Sequence, residues 1–293
     1  MDVSVIIVNY NTAEITKQCI ESIFSKTEGV VYEVIVVDNA SSDNSDKILG
    51  TDRRILYLKS PVNLGFGKAN NMGLKQAGGK YIFLLNSDTI LRNNAIKIFF
   101  DYLESQNSNV AGIGTLLKAT DGKTIGNSYG MFPSVTSTLH TLLSIYKRKP
   151  LQQNDFEKDI ESDGSFYVDY IIGADIFLKR EVIEKFGLFD PDFFMYFEET
   201  EMQFRYTKNG YRFKIFPKPD IIHLECASTN TDKKQYNFNQ KYRFTSSWFI
   251  YMKKTQTPFS FFLFKLVMML YLPIVVKRQN SLKQNIKLVS LFF

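Results

Sequence analysis

Cysteine is nearly absent from this chain, with Cys19 and Cys226 the only two among 293 residues. They lie far apart and lack metal-ligand spacing, so a disulfide scaffold is excluded and a reducing compartment is expected. No leader is expected either. Met1-Asp2-Val3-Ser4 carries no basic residue and the first apolar run stops at Asn9, which excludes a signal peptide and points to a cytoplasmic address. Phosphate-loop spacing is lacking too. Val62 stands five positions before Gly67, Leu117 five before Gly122-Lys123-Thr124, and Asn70 where a third glycine would follow Gly65 and Gly67. A Walker loop and a Rossmann fingerprint are therefore both excluded. What remains, 44% hydrophobic and 23% charged residues, is the composition of an ordered globular protein.

Acidic residues are absent from one whole region. None follows Asp232, while eleven Lys or Arg side chains do. Removing those eleven from the net charge of +6 leaves residues 1–232 at −5. Basic character thus belongs to the tail alone, for which nucleic acid or an anionic membrane surface is the candidate partner. The tail also holds the one long apolar run, Phe259 to Val276, interrupted by Ser260, Lys265 and Pro273 and closed by Lys277-Arg278. A nucleic-acid-binding tail has no use for such a run, and lipid is the reading preferred. As a helix it would extend about 27 Å, short of a hydrocarbon core of about 30 Å, so it is expected to lie on an anionic leaflet, as an interfacial helix or as a helical hairpin with Ile286–Phe293, and not to cross it. The competing reading buries it against the main domain.

The first ninety residues alternate between strand and helix. Val3–Val8, Glu33–Val37, Ile55–Leu58 and Tyr81–Leu85 are short apolar runs, as in strands buried on both faces. Thr12–Ser25, Asn44–Leu49 and Phe66–Gln76 read as helices between them. That order predicts an α/β fold with a doubly wound, mainly parallel sheet, whose ligands sit beyond the carboxyl ends of the strands. Asn9-Tyr10, Asp38-Asn39 and Asn86-Ser87-Asp88 occupy those ends. Further helices are expected over Asn93–Ser105, Arg180–Lys185 and Phe197–Asn209, with strands over Val168–Lys179 and near Tyr211–Phe216. Residues 110–168 read as a long excursion over the active face.

Three features carry chemistry, each with a plainer reading beside it. Asn86 and Asp88, one residue apart where a strand ends, suit a hard divalent cation that also grips a diphosphate; they also suit a simple capping turn. Glu198, Glu199 and Glu201 open a helix, where carboxylates also stabilise the macrodipole. His223 follows the apolar pair Ile221-Ile222, where a satisfied core histidine is the ordinary explanation.

Taken in order, eight segments resemble the family 2 glycosyltransferases of GT-A (nucleotide-diphospho-sugar transferase) fold, especially their rhamnosyltransferase-like branch. They are Val3-Ser-Val-Ile-Ile-Val-Asn-Tyr-Asn11, Val36-Val-Asp-Asn-Ala-Ser-Ser-Asp43, Asn63-Leu-Gly-Phe66 with Ala69-Asn70, and Leu84-Leu-Asn-Ser-Asp-Thr89. Ile172-Gly-Ala-Asp175, Gly187-Leu-Phe-Asp190, Phe193-Phe-Met-Tyr-Phe-Glu-Glu199 and His223-Leu-Glu-Cys-Ala-Ser228 complete the series. The resemblance implies a glycosyltransferase domain over residues 1–230, with a nucleotide-sugar-binding half at 1–90 and an acceptor-binding half at 91–230. A helical, membrane-associating segment follows over 231–293. It further implies an inverting, metal-dependent transfer from a UDP- or dTDP-sugar, with L-rhamnose a candidate, to a glycan or lipid-linked glycan in cell-surface polysaccharide synthesis. Asn9, Tyr10, Asp38, Asn39, Asn63, Gly65, Asn86 and Ser87 would bind the donor nucleotide, and Asp88 with His223 would hold Mn2+ or Mg2+. Glu199 would be the catalytic base, while Glu198, Gly173, Ala174 and Asp175 would meet the acceptor. Two positions depart from the family pattern: Asn86 stands where an aspartate is usual, and so does Glu199. A non-catalytic nucleotide-sugar or glycan-binding protein of the same fold is the alternative those departures leave open.

Overall fold

A computed structural model describes residues 1–126, 128–147, 159–224, 238–275 and 281–291. The end of the His223–Ser228 segment, the boundary at 230 and Lys277-Arg278 lie outside the described residues. The core begins with β1 (Val3–Asn9), α1 (Ala13–Lys26), β2 (Tyr32–Asp38), α2 (Ser45–Ile48), β3 (Leu56–Lys59), α3 (Phe66–Leu74) and β4 (Tyr81–Asn86). β1 runs parallel to both β2 and β4, with Asn9 opposite Asp38 and Val8 opposite Asn86. Three strand ends therefore open side by side at one edge of the sheet.

The apolar runs explain this arrangement. Val5 and Ile7 point to the face covered by α1, where Cys19, Ile20 and Ile23 meet them. Ile6 points the other way, toward α3. Burying each such side chain contributes about 1.5–3 kcal/mol. A Cβ at Gly73 would come within 2.6 Å of Ile6 Cγ2, so the missing side chain lets α3 lie close on the sheet.

The second half comprises β5 (Thr89–Leu91), α4 (Ala95–Ser105), β6 (Val110–Gly114), β7 (Tyr129–Gly130), α5 (Val135–Lys147), β8 (Phe166–Val168) and β9 (Tyr170–Ile171). It continues with β10 (Asp175–Lys179), α6 (Arg180–Phe186), α7 (Glu198–Lys208), β11 (Arg212–Ile215) and β12 (Ile221–His223). The main sheet runs β3-β2-β1-β4-β10-β6-β11-β8. β10 enters antiparallel to β4 with Asp175 opposite Leu85, which carries Gly173-Ala174 to the same edge as Asn86. β12 pairs antiparallel with β5, setting His223 opposite Thr89. The excursion expected over 110–168 contains β6, β7, the helix α5 and β8 among its described residues.

Three helices follow: α8 (Phe238–Thr255), α9 (Pro258–Val275) and α10 (Leu282–Val289). Trp248, Phe249, Tyr251 and Met252 of α8, Phe264 and Met268 of α9, and Leu288 of α10 form a third core cluster with Phe193. Phe259, Phe262 and Leu266 on α9 face outward at 69%, 57% and 44% exposure. Among the described residues no helix is long and apolar enough to cross a membrane.

Candidate active site

The first corner of the site is built around Asn9, whose amide is fully buried and committed to neighbours. Its Nδ2 donates to Asp38 Oδ1 at 2.7 Å and to the hydroxyls of Ser41 and Ser45, while its Oδ1 accepts from Thr12 and Thr16. The Ser41 N–H donates to the other Asp38 oxygen at 3.2 Å. Asp38 is thus aimed by two strand ends and a turn. Asn39 is tied to the next loop, donating to Asn63 Oδ1 at 3.1 Å and accepting from the Leu64 N–H at 2.8 Å. Tyr10 stands at the rim, 44% exposed. Gly65 closes the loop with φ of 84°, and a Cβ there would sit 2.1 Å from the Phe194 carbonyl oxygen. That carbonyl accepts the Phe66 N–H at 3.0 Å.

The second corner is the turn after β4. Asp88 is buried, and its Oδ1 lies 3.2 Å from Nε2 of His223. The Asn86 amide reaches the same imidazole nitrogen at 3.5 Å, and the Leu224 N–H fastens the two segments by donating to the Asp88 carbonyl at 2.9 Å. Ser87, also buried, lies 3.5 Å from the Thr12 hydroxyl and so links this turn to the first corner. No group of three or more His, Cys, Asp or Glu ligands occurs among the described residues. One carboxylate oxygen and one imidazole nitrogen converging on a point nevertheless fit a hard divalent cation that completes its shell with substrate phosphate and water. The donor set suits Mn2+ or Mg2+.

The third corner is the start of α7. Tyr196 and Phe197 precede it with φ of 73° and 66°, left-handed backbone that costs a non-glycine residue of order 1–3 kcal/mol. Glu198 then points inward, 2% exposed, and its Oε2 has no hydrogen-bond partner among the described residues. Burial, and next the charge of Glu199, push its carboxyl well above the ordinary glutamate range. Glu199 is only partly buried by its neighbours. Desolvation raises it too, opposed by backbone N–H groups that include that of Gly173. A Cβ on Gly173 would stand 3.9 Å from the Glu199 carboxyl carbon and 3.4 Å from the Phe66 ring. Both carboxyls are thus pushed toward the protonated form by burial, Glu198 the further because it is the more deeply enclosed.

The family described as Glycosyl transferase family 2 matches residues 4–185. The chain belongs to that family. It is 26% identical over 254 residues to the low-salt glycan biosynthesis hexosyltransferase of Haloferax volcanii, an alignment spanning 83% of this chain and 73% of that protein. It is 21% identical over 240 residues to the N-acetylglucosaminyl-diphospho-decaprenol L-rhamnosyltransferase of Mycobacterium tuberculosis, spanning 78% of each. Its fold resembles that of the Pyrobaculum calidifontis mannosyltransferase PcManGT solved with GDP-Man and Mn2+. There the TM-score is 0.56 at 17% identity, over 98% of this chain and 78% of that one. These relationships establish a GT-A fold.

In this family 2 glycosyltransferase the match ends before Glu198, Glu199 and His223, so their placement comes from the geometry alone. Asp175 lies deeper than an acceptor floor suggests: it is fully buried, accepts the Thr115 N–H at 2.7 Å and is pushed well above the usual range by burial. Ala174 is buried beside it, and its carbonyl accepts the Asn86 N–H at 2.9 Å. Several residues that the sequence did not single out support the site. Gln203 is fully buried, bonds both backbone groups of Ile171 and donates to the Glu199 carbonyl at 3.0 Å. Its position one helical turn after Glu199 was the available signal.

Proposed function

We propose that this glycosyltransferase is inverting and divalent-metal-dependent, moving a hexose from a UDP- or dTDP-sugar to a hydroxyl of a glycan or lipid-linked glycan. One observation carries the reading: Asp38, the Asp88–His223 pair and Glu199 converge on one edge of the sheet, joined by the Asn63–Phe66 loop. Asp38, oriented by Asn9, would receive the nucleoside, with Tyr10, Asn39, Asn63, Gly65, Asn86 and Ser87 around the donor. Residues 1–90 form the donor half and 91–230 the acceptor half. Asp88 and His223 would hold Mn2+ or Mg2+, which when bound offsets the negative charge of the departing nucleoside diphosphate. Glu199 would take the proton of the acceptor hydroxyl as that oxygen attacks the sugar from the face opposite the leaving group. Glu198, Gly173, Ala174 and Asp175 would shape the ground beneath the acceptor, with the carboxyls of Glu198 and Asp175 buried there and raised above the ordinary range by desolvation. L-Rhamnose is the donor sugar favoured by the resemblance to the mycobacterial enzyme. The tail, 231–293, would bring the enzyme to the anionic inner face of the cell membrane, and polysaccharide synthesis there is the setting proposed.

The test is turnover of a nucleotide-sugar panel with and without Mn2+ or Mg2+, with the anomeric configuration of the product read by NMR. Metal-dependent release of nucleoside diphosphate and an inverted product are expected. A retained configuration, or full turnover in a chelator, overturns the reading.

A further inference from the structure

The segment between α6 and α7 carries an unusual backbone. Tyr196 and Phe197 are consecutive left-handed aromatic residues, and they immediately precede the proposed base. Nothing in their own sequence favours this conformation, since neither is a glycine or asparagine. Some other element must hold it, and the contacts of this segment identify α8.

One face of α8 grips the whole segment. Arg243 lies over the Phe194 ring at 4.4 Å, and the buried Ser247 hydroxyl donates to the Met195 carbonyl at 2.8 Å. Trp248 stacks parallel to Phe197, with ring centroids 6.3 Å apart at 10°, while Phe244 and Tyr251 close on the same ring at 5.1 and 5.6 Å. Tyr196 meets Phe244 at 5.7 Å. Farther along, Lys254 bridges Asp190 and Asp192 at 2.9 and 2.7 Å. Contacts at 243, 247, 251 and 254 follow the period of one helical face. They begin before the left-handed pair and continue on its rings.

We propose that α8 is the positioning element of the catalytic base, with Ser247 and Trp248 holding the left-handed Tyr196–Phe197 turn and so setting the direction in which Glu199 points. The inference rests on Glu199 being that base. It extends the functional site into residues beyond those matched by the family. It also gives α8 a role distinct from any membrane contact, because Ser247 and Trp248 face inward. Phe194 is shared with the donor side through its carbonyl bond to the Phe66 N–H, whereas Ser247 and Trp248 act on Met195 and Phe197. Releasing them disturbs the base and spares the donor.

The experiment compares Trp248→Leu, Ser247→Ala and the conservative Trp248→Phe in the full-length chain, with Glu199→Gln as reference. Active sites are counted by titrating UDP or dTDP in the presence of Mn2+, and kcat is expressed per site. Trp248→Leu is expected to lower kcat roughly 10- to 100-fold, the scale of a displaced catalytic group. The KM for the nucleotide sugar and the nucleotide affinity should stay within about twofold, and Trp248→Phe should recover most of the loss. Ser247→Ala, which removes one hydrogen bond, shifts kcat in the same direction and keeps the test open if Trp248→Leu does not fold. A kcat per site within twofold of wild type in both Trp248→Leu and Ser247→Ala, whatever the change in melting temperature, overturns the proposal; if only Ser247→Ala folds, its kcat alone decides. If Glu199→Gln remains active, the base assignment fails first. If Glu199→Gln is inactive while the α8 variants are not, only the positioning role fails.

Discussion

Glu198 and Glu199 differ by one position and by what encloses them. Glu198 is sealed, with one oxygen unpartnered among the described residues, and burial together with the Glu199 charge raises its pKa well above the usual glutamate range. A glutamine is the closest replacement for a protonated glutamate, so Glu198→Gln is expected to retain activity within about threefold. Glu199→Gln should lose about 10²- to 10⁴-fold, the usual contribution of a general base, and turnover of the two purified variants measures the difference. The wild-type acid limb of kcat/KM should lie above the ordinary glutamate range, because desolvation raises Glu199 and the proposed base works in its deprotonated form. Glu198 on the same helix and Tyr170 from β9 are the groups that face it. Stability carries a second sign. Above the ordinary range of an unfolded glutamate, folded Glu198 still holds a proton that the unfolded chain has released, so its contribution is lost as pH rises toward its raised folded value. Glu198→Gln escapes that loss, and its melting temperature relative to wild type should climb as pH rises above the ordinary glutamate range. A constant difference would show that Glu198 is ionised in the fold.

Elements were legible in the sequence where one periodicity ran long enough to declare itself. Val3–Val8, Glu33–Val37 and Tyr81–Leu85 announce buried strands, and the parallel register of the strands they form is what sets Asn9, Asp38 and Asn86 abreast. β5 and β12 are three residues each, too short for any period, so the sequence did not show how His223 reaches Asp88. The left-handed pair at Tyr196–Phe197 was illegible for another reason: local preference opposes it, and residues about fifty positions later hold it. α8 posed a related difficulty, because a helical stripe shows that a face is apolar without naming what covers it. The Asn63–Phe66 loop shows the same dependence on distant packing. Gly65 needs its positive φ and its missing Cβ to pass the Phe194 carbonyl, which leaves Asn63 on Asn39 and Phe66 on Gly173. Gly65→Ala should therefore cost about 2 kcal/mol of stability, or about 3 °C in Tm for a chain of this size. Donor KM should rise more than kcat falls. A melting temperature within about 1 °C of wild type would mean that the loop bends elsewhere.

At the scale of the whole molecule, charge and exposed apolar surface coincide. The tail carries all of the positive excess, and in it α9 turns Phe264 and Met268 into the core while leaving Phe259, Phe262 and Leu266 outside. These three recur at helical spacing, so they form a stripe and not scattered exposure. On the neighbouring α10, Leu282 and Ile286 are exposed at 78% and 60%, with Lys283 and Lys287 among them. Apolar side chains flanked by lysines, with no acid after Asp232, are what the proposed contact with an anionic leaflet would use. Each lysine near such a surface contributes about 1 kcal/mol and is screened by salt. Purified enzyme should sediment with vesicles containing anionic phospholipid, less so at high ionic strength, and weakly with neutral vesicles. Changing Phe259, Phe262 and Leu266 together to glutamate should abolish sedimentation and leave the melting temperature within about 2 °C, because none of the three is buried. Turnover of a water-soluble acceptor should be unaffected, since the stripe faces away from the core that holds Phe197. Sedimentation that survives the triple change would place the lipid contact elsewhere. A dimer in gel filtration that the triple change dissociates would assign the stripe to a second copy of the chain.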